Sequence, residues 1–375
     1  MTDEAIVRDL EAQDIGQDVE QEEQEQSENG ALSYKRYSIT SYGADYTVDQ
    51  LVARIQRGDI YIPDFQRAYV WKIQQASQLI ESLLLGLPVP SIFISKDDKQ
   101  KLLVIDGQQR LFSLLYFFEG IFKPNDPDQM EFKLTGVQQP FAGKTYQTLN
   151  DEDRRQLNDS VIRAVVLQQN APREDFATSI YFIFRRLNTN SVPLTQQEIR
   201  AAIFRGSLND LLKELDDYPK WGQIFNSKTG KLRKRGQELI LRFFAFYEGY
   251  EQYAEPISLE EFLNNYMSKF AEADQQKITQ LRQLFTHTID AVHESVGKQT
   301  FRFKGGRFNA AFFDAVMVGI AKRLERSKPA KSKLERAYKI LSSNSDFQNA
   351  AIVSTADVNQ VQKRMRLAIE AFDAV

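Results

Sequence analysis

The sequence predicts an α+β protein: a small mixed α/β domain over residues 34–170, then a mostly α-helical domain over residues 171–375. Three observations predict it. Before residue 170, short apolar runs bounded by turn residues alternate with amphipathic helical stretches. Beyond it, long stretches of 3.6-residue periodicity take over. Residues 1–33 stand apart as an acidic tail, rich in glutamine and glutamate, with too little apolar surface to fold.

The elements follow in order. Thr47 and Gln50 have the spacing of a capping box that opens a helix to about Arg57. The stretch QQASQLIESLLL (74–85) places Ala76, Leu79, Ile80, Leu83 and Leu84 on one helical face, with Gly86 as its stop. SIFIS and KLLVI are short strands on either side of Asp97 and Asp98, the pattern of a hairpin, and VIRAVVLQQ (161–169) is a further strand. Two more capping boxes pair Thr195 with Glu198 and Ser258 with Glu261. Amphipathic helices are expected near 274–294, 308–327 and 355–373, and there is no internal repeat of fixed period.

Composition narrows the function. No apolar stretch reaches the roughly 20 residues of a membrane span. The acidic start lacks a basic n-region, so a cytoplasmic location without a signal peptide is expected. There is no cysteine and histidine occurs twice, which excludes cysteine nucleophiles and Cys/His zinc sites. A metal would have to sit on carboxylates, with Mg²⁺ the natural expectation. The net charge of −3 conceals an asymmetry. Residues 1–30 hold eleven acidic residues against Arg8, a net of −10, so the remaining chain contributes +7. The tail is read either as a solubilising leader or as a mimic of nucleic acid that competes for a basic face.

Two stretches stand out as candidate sites. In IYIPDFQRAYVW (60–71), Pro63 favours an extended loop or edge. Arg67, beside Gln66, suits bidentate phosphate contact, and Tyr69 and Trp71 could stack on a base. The plainer reading has Phe65, Tyr69 and Trp71 plugging a core. In LLVIDGQQRLFSLLYFF (102–118), a strand breaks at Asp106-Gly107-Gln108-Gln109-Arg110 into a helix. A helix N-terminus attracts anions, Gly107 allows close backbone approach, and Arg110 can neutralise phosphate. Asp106 could hold Mg²⁺ or a water that Gln108 or Gln109 orients. The plainer reading is Asp106 as an N-cap with solvated glutamines.

Taken together and in order, IPDFQRAYVW, LIESLLLGLPVPSIFI, LLVIDGQQRLFSLLYFF, FRRLNTNSVPLTQQEIRAAIFRG (184–206) and GQELILRFFAFY (236–247) resemble the N-terminal domain family of the GmrSD modification-dependent restriction endonucleases, over roughly residues 45–320. That family resembles the ParB and sulfiredoxin fold. The resemblance implies NTP binding and hydrolysis at Asp106, Gly107, Gln108, Gln109 and Arg110, coupled to recognition of modified DNA, as in phage defence. Its pattern adds Asn188 and Arg200 as nucleotide-binding candidates. Arg200 lies one turn after Gln196 and is read as facing either solvent or the nucleotide. Full proteins of this kind carry an HNH-like nuclease domain. Here His287 and His293 lie six apart on a helical segment, so either a separate nuclease subunit supplies the cut or the chain acts by binding and switching alone.

Basic clusters supply the DNA candidates: Lys231, Arg233, Lys234 and Arg235 in KTGKLRKRG, Arg302, Lys304 and Arg307 interleaved with phenylalanines in FRFKGGRF, and KRLERSKPAKSK (322–333). Each is equally the composition of a solvated loop. The competing functions are an NTPase component of a restriction system and a non-catalytic, nucleotide-gated DNA-binding protein of ParB-like character. A stand-alone nuclease is weaker, because one Asp is little for two-metal cleavage. The base, the DNA modification and the oligomeric state stay open.

Overall fold

The computed structural model describes residues 39–62, 69–96, 101–123, 129–169, 183, 195–226, 234–298, 300–302, 306, 308–327 and 329–375. They form two compact units, one within 36–194 and one within 195–375.

In the first unit, β1 (Ile39–Thr47) leads into α1 (Val48–Gln56) and β2 (Ile60–Tyr61). After α2 (Ile73–Leu84) come β3 (Ile92–Lys96), β4 (Leu102–Asp106) and α3 (Gln108–Glu119). The short pair β5 (Ile121–Phe122) and β6 (Met130–Glu131) precedes α4 (Asp151–Asp159) and β7 (Val161–Gln169). Five strands make a mixed sheet in the order β1-β7-β3-β4-β2. β1 runs antiparallel to β7, β7 parallel to β3, β3 antiparallel to β4, and β4 parallel to β2. Side chains alternate across a sheet, so one face of β7 buries Ile162, Ala164 and Val166 while Val161 and Arg163 are exposed. The buried face packs on the helices: Val48, Leu51 and Val52 of α1, the predicted set Ala76, Leu79, Ile80, Leu83 and Leu84 of α2, and Leu111, Leu114 and Phe117 of α3 share one core.

Two local expectations change. β1 was not anticipated, because ITSYGADYT interrupts its few apolar residues with polar ones and Gly43; as an edge strand it needs only one partner. Thr47 is the N-cap of α1 but forms no capping box. Its hydroxyl turns to the Asp49 carboxylate, which also accepts the Gln50 N–H at 2.7 Å. Thr195 and Glu198 do make the reciprocal box, at 3.2 and 2.7 Å, and Ser258 accepts from the Glu261 N–H at 3.1 Å.

The second unit is helical: α5 (Gln196–Ile203), α6 (Ser207–Asp216), α7 (Pro219–Phe225), α8 (Arg235–Gly249), α9 (Leu259–Phe270), α10 (Gln275–Ser295), α11 (Ala310–Arg326), α12 (Lys331–Ser343), α13 (Ser345–Ile352) and α14 (Val358–Asp373). The three long helices expected from periodicity are α10, α11 and α14. α8 and α11 are buried along most of their length, as central helices are. Their charged residues are therefore paired. Asp314 accepts from Arg242 Nη2 at 2.6 Å and Nε at 3.1 Å, with Arg364 at 3.7 Å, and all three side chains are buried. Among the described residues no helix is long and apolar enough to cross a membrane.

Candidate functional site

The polar break in LLVIDGQQRLFSLLYFF sits at the end of an internal strand. β4 ends at Asp106, Gly107 turns the chain, and α3 starts at Gln108. The turn needs glycine on two counts. Gly107 has φ +105°, where L side chains are strained, and a Cβ there would lie 2.5 Å from Ile92 Cγ2. The N-cap is Gly107, which provides no side-chain cap to the positive end of α3. This replaces the expectation that Asp106 caps the helix: Asp106 is the last residue of the strand and points its carboxylate elsewhere.

That carboxylate meets Arg110. Arg110 Nη2 donates to Asp106 Oδ2 at 2.9 Å, and Nη1 donates to the Pro90 carbonyl at 2.9 Å. The Arg110 side chain is only 12% exposed whereas that of Asp106 is 44% exposed. The guanidinium is thus built into the turn, tying α3 to β4 and to the segment before β3, while the carboxylate stays reachable from solvent. Arg110 thus already carries a counter-ion at the helix end.

Gln109 faces a different direction. Its Oε1 accepts from the backbone N–H groups of Val70 and Trp71, at 3.0 and 3.1 Å. Its main-chain carbonyl accepts from Ser113 Oγ at 2.7 Å, and Ser113 Oγ is 2.7 Å from the Tyr69 hydroxyl. With its proton already donated to Gln109, the serine takes the tyrosine proton. The Tyr69 ring makes edge contacts with Tyr116 at 5.0 Å, Phe122 at 5.5 Å and Phe112 at 6.4 Å. Burial raises the Tyr69 pKa well above that of a solvated phenol. Tyr69 therefore packs against the core, the plainer of its two readings. Trp71 is half-buried and packs on the same core.

The structure brings Asp106, Gly107, Gln108, Gln109, Arg110, Tyr69 and Trp71 together around the N-terminus of α3. Gln66, Arg67 and Asn188 lie outside the described residues. Arg200 belongs to the helical unit and is fully buried. Its Nε donates to Gln197 Oε1 and its Nη2 to Glu238 Oε2, both at 2.9 Å. This corrects the expectation of a solvent- or nucleotide-facing arginine: its charge is matched inside the helical core. Ser113 and Pro90 are the members that sequence reasoning missed. Pro90 acts through its carbonyl, which no motif encodes, whereas Ser113, one turn after Gln109, carried a weak signal in its polarity on an otherwise apolar helix.

Of the DNA candidates, Lys231, Arg233, Lys304 and Arg307 lie outside the described residues. Arg235 is buried at the start of α8 and so is not a surface cation, a second correction; Lys234, before it, is half-buried. Arg302 is half-buried over the Phe308 ring, donating to the carbonyls of Ile224 and Thr300 at 3.3 Å. Phe301 and Phe308 are core residues, so these two rings form no stacking surface. In the third cluster Lys331 pairs with Glu294, Lys322 with Glu325 and Arg326 with Asp373, as on a solvated face. His287 and His293 are on α10, the second within 3.0 Å of Gln223 Oε1. Among the described residues no three metal-ligating side chains cluster. The donor set at the turn is the single carboxylate of Asp106, which fits Mg²⁺ only where phosphate oxygens and waters supply the other ligands.

A mixed sheet whose internal strand passes through a buried glycine into a helix defines an α/β unit with a strand-to-helix glycine turn, followed by a helical unit. The comparisons place it more closely. Residues 48–205 match the model of the GmrSD restriction endonuclease, N-terminal domain. An uncharacterized protein of Methanocaldococcus jannaschii is 33% identical over 116 residues, covering 24% of this chain. The chain spans about 18% of that relative's length. No solved structure matches.

Proposed function

We propose that the sheet unit binds a nucleoside triphosphate with its phosphates at the Asp106–Arg110 turn, and that the chain is the nucleotide-hydrolysing component of a restriction system that engages DNA. The observation that carries this reading is the turn itself: a glycine at φ +105° packed on Ile92, at the uncapped positive end of α3, with the Arg110 guanidinium alongside. The N–H groups of a helix's first turn and the helix dipole favour an anion there, and arginine adds bidentate phosphate contact. The family match assigns the same residues to the N-terminal domain of a restriction endonuclease.

In this reading phosphate takes over Arg110 and releases the Asp106 carboxylate to orient a water or to face a Mg²⁺ carried in with the nucleotide. The cation would supply charge neutralisation of the phosphates. The +7 charge of the chain beyond residue 30 supports DNA engagement, and in this reading a separate nuclease subunit does the cutting. A second reading, nucleotide-gated DNA binding without turnover, is favoured by one observation: Asp106 and Gln109 are both engaged by protein groups.

The test is calorimetric binding and phosphate release with each NTP, with plain and modified DNA, for wild type and Arg110→Ala. Losing hydrogen bonds to a charged group should cost about 1.5–3 kcal/mol, roughly 10- to 150-fold in affinity. Binding without phosphate release supports the gated reading. Equal affinity in a folded Arg110→Ala protein, or no NTP binding by wild type, overturns the site.

A further inference from the structure

We propose that Gln109 is a positioning residue, fixing the main chain at Val70 and Trp71 against the N-terminal turn of α3, and that the ligand-facing role within the glutamine pair belongs to Gln108. The proposal deepens the nucleotide reading of the turn and rests on it for the role of Gln108, but not for the latch.

The geometry is specific. A carboxamide oxygen has two lone pairs, and Gln109 Oε1 receives two N–H groups from consecutive residues 38 and 39 positions earlier in the chain. Consecutive N–H groups converge on one acceptor only where the backbone is held in a particular bend, so the side chain acts as a template for the segment leaving IPDFQRAYVW. A glutamine that orients an attacking water uses this same oxygen as acceptor, and here it is saturated. The main chain of Gln109 adds a second tie, through Ser113 to the Tyr69 hydroxyl. Three successive residues, Tyr69, Val70 and Trp71, are thereby fastened to one residue of α3 and the serine a turn beyond it. Gln108, the first residue of α3, is half-buried; with the Gln109 oxygen saturated, the ligand-facing role within the pair is assigned to it.

The experiment uses the full chain and four variants: Gln109→Met, Gln109→Glu, Gln108→Met and Gln108→Glu. Methionine keeps length and removes the acceptor; glutamate keeps the acceptor and removes the amide donor. Hydrogen exchange resolved to the Val70 and Trp71 amides, measured without nucleotide, reads the latch directly. Gln109→Met should accelerate both by about tenfold or more, and Gln109→Glu should retain wild-type protection. With ATP or GTP at saturation, Gln109→Glu should keep kcat within about threefold of wild type, any added charge repulsion appearing in KM, whereas both Gln108 variants should lose kcat. Unchanged exchange in Gln109→Met overturns the latch. Preserved exchange in Gln109→Glu with collapsed kcat assigns Gln109 to the ligand and overturns its positioning role, and wild-type kcat in both Gln108 variants overturns the ligand-facing assignment. If wild type binds no nucleotide, the parent reading and the role of Gln108 fall together, while the exchange comparison still decides the latch.

Discussion

Replacing Gly107 by alanine tests the turn most directly. The backbone at φ +105° resists any L side chain, at about 1–2 kcal/mol. A Cβ would also meet Ile92 Cγ2 at 2.5 Å and Cβ at 2.9 Å, and Ile92 is fully buried in β3, so it has little room to give. Overpacking of this kind costs about 1–3 kcal/mol. The loss of unfolded-state freedom on going from Gly to Ala offsets roughly 0.4–1 kcal/mol. The net expectation is about 2–4 kcal/mol, or roughly 5–15 °C in the unfolding midpoint of a unit this size. Gly120→Ala is the control: φ is +78° but nothing lies within 4 Å of the added carbon, so only the strain of about 1 kcal/mol remains. The chain has two tryptophans, Trp71 in the sheet unit and Trp221 in the helical unit. Fluorine NMR of 5-fluorotryptophan protein during thermal unfolding therefore follows each unit by its own resonance. The Trp71 resonance should report the loss. If Gly107→Ala unfolds within about 0.5 kcal/mol of Gly120→Ala, the close packing on Ile92 is not felt and the reasoning fails.

Three further outcomes are expected. Asp106→Asn, which removes a carboxylate beside the anion site, should leave the fold intact, abolish phosphate release and tighten pyrophosphate binding several-fold by calorimetry; weaker binding would contradict the counter-ion role of Asp106. Asp314→Asn leaves Arg242 and Arg364 buried without their carboxylate and should cost the helical unit about 3–5 kcal/mol in urea unfolding read at Trp221. The Arg282 guanidinium, bonded at 2.7 Å, holds the Glu214 carboxyl below its usual pKa. The unfolded chain therefore binds the proton first as pH falls, and the pair's stabilisation, at most about 1 kcal/mol at this exposure, is present above about pH 4.5 and lost below it. Stability curves of wild type and Glu214→Gln should converge on acidification; a gap that persists at pH 3 would refute the assignment.

The parts of this protein that were legible in its sequence are those set by local periodicity. The face of α2 from Ala76 to Leu84, the strand at 161–169 and the Thr195–Glu198 box all follow from spacing within a few residues. β1 escaped because an edge strand needs little apolar content, and its pairing with β7 spans more than a hundred residues. The arginines were misleading for the same reason. Arg200 and Arg235 look like surface cations until Glu238, the partner of Arg200, and the burial of the α8 N-terminus are in place. At the site, the glycine turn was foreseeable from one strand and one helix meeting at a polar break. The engagement of Gln109 by Val70 and Trp71 was not, since no local pattern encodes a hydrogen bond to a distant main chain. FRFKGGRF shows how alternation deceives: Phe301 and Phe308 are held inside by core packing that composition does not reveal.

If the turn binds phosphate as proposed, the ion pair between Asp106 and Arg110 sets a threshold for an incoming anion. With an internal carboxylate already in place, a competitor must offer more charge than the one it displaces. Chloride and other singly charged ions do not; a triphosphate does. In the proposed nucleotide reading, the turn would therefore favour polyphosphate over singly charged ions, and the number of charges on the ligand would set whether Asp106 is released.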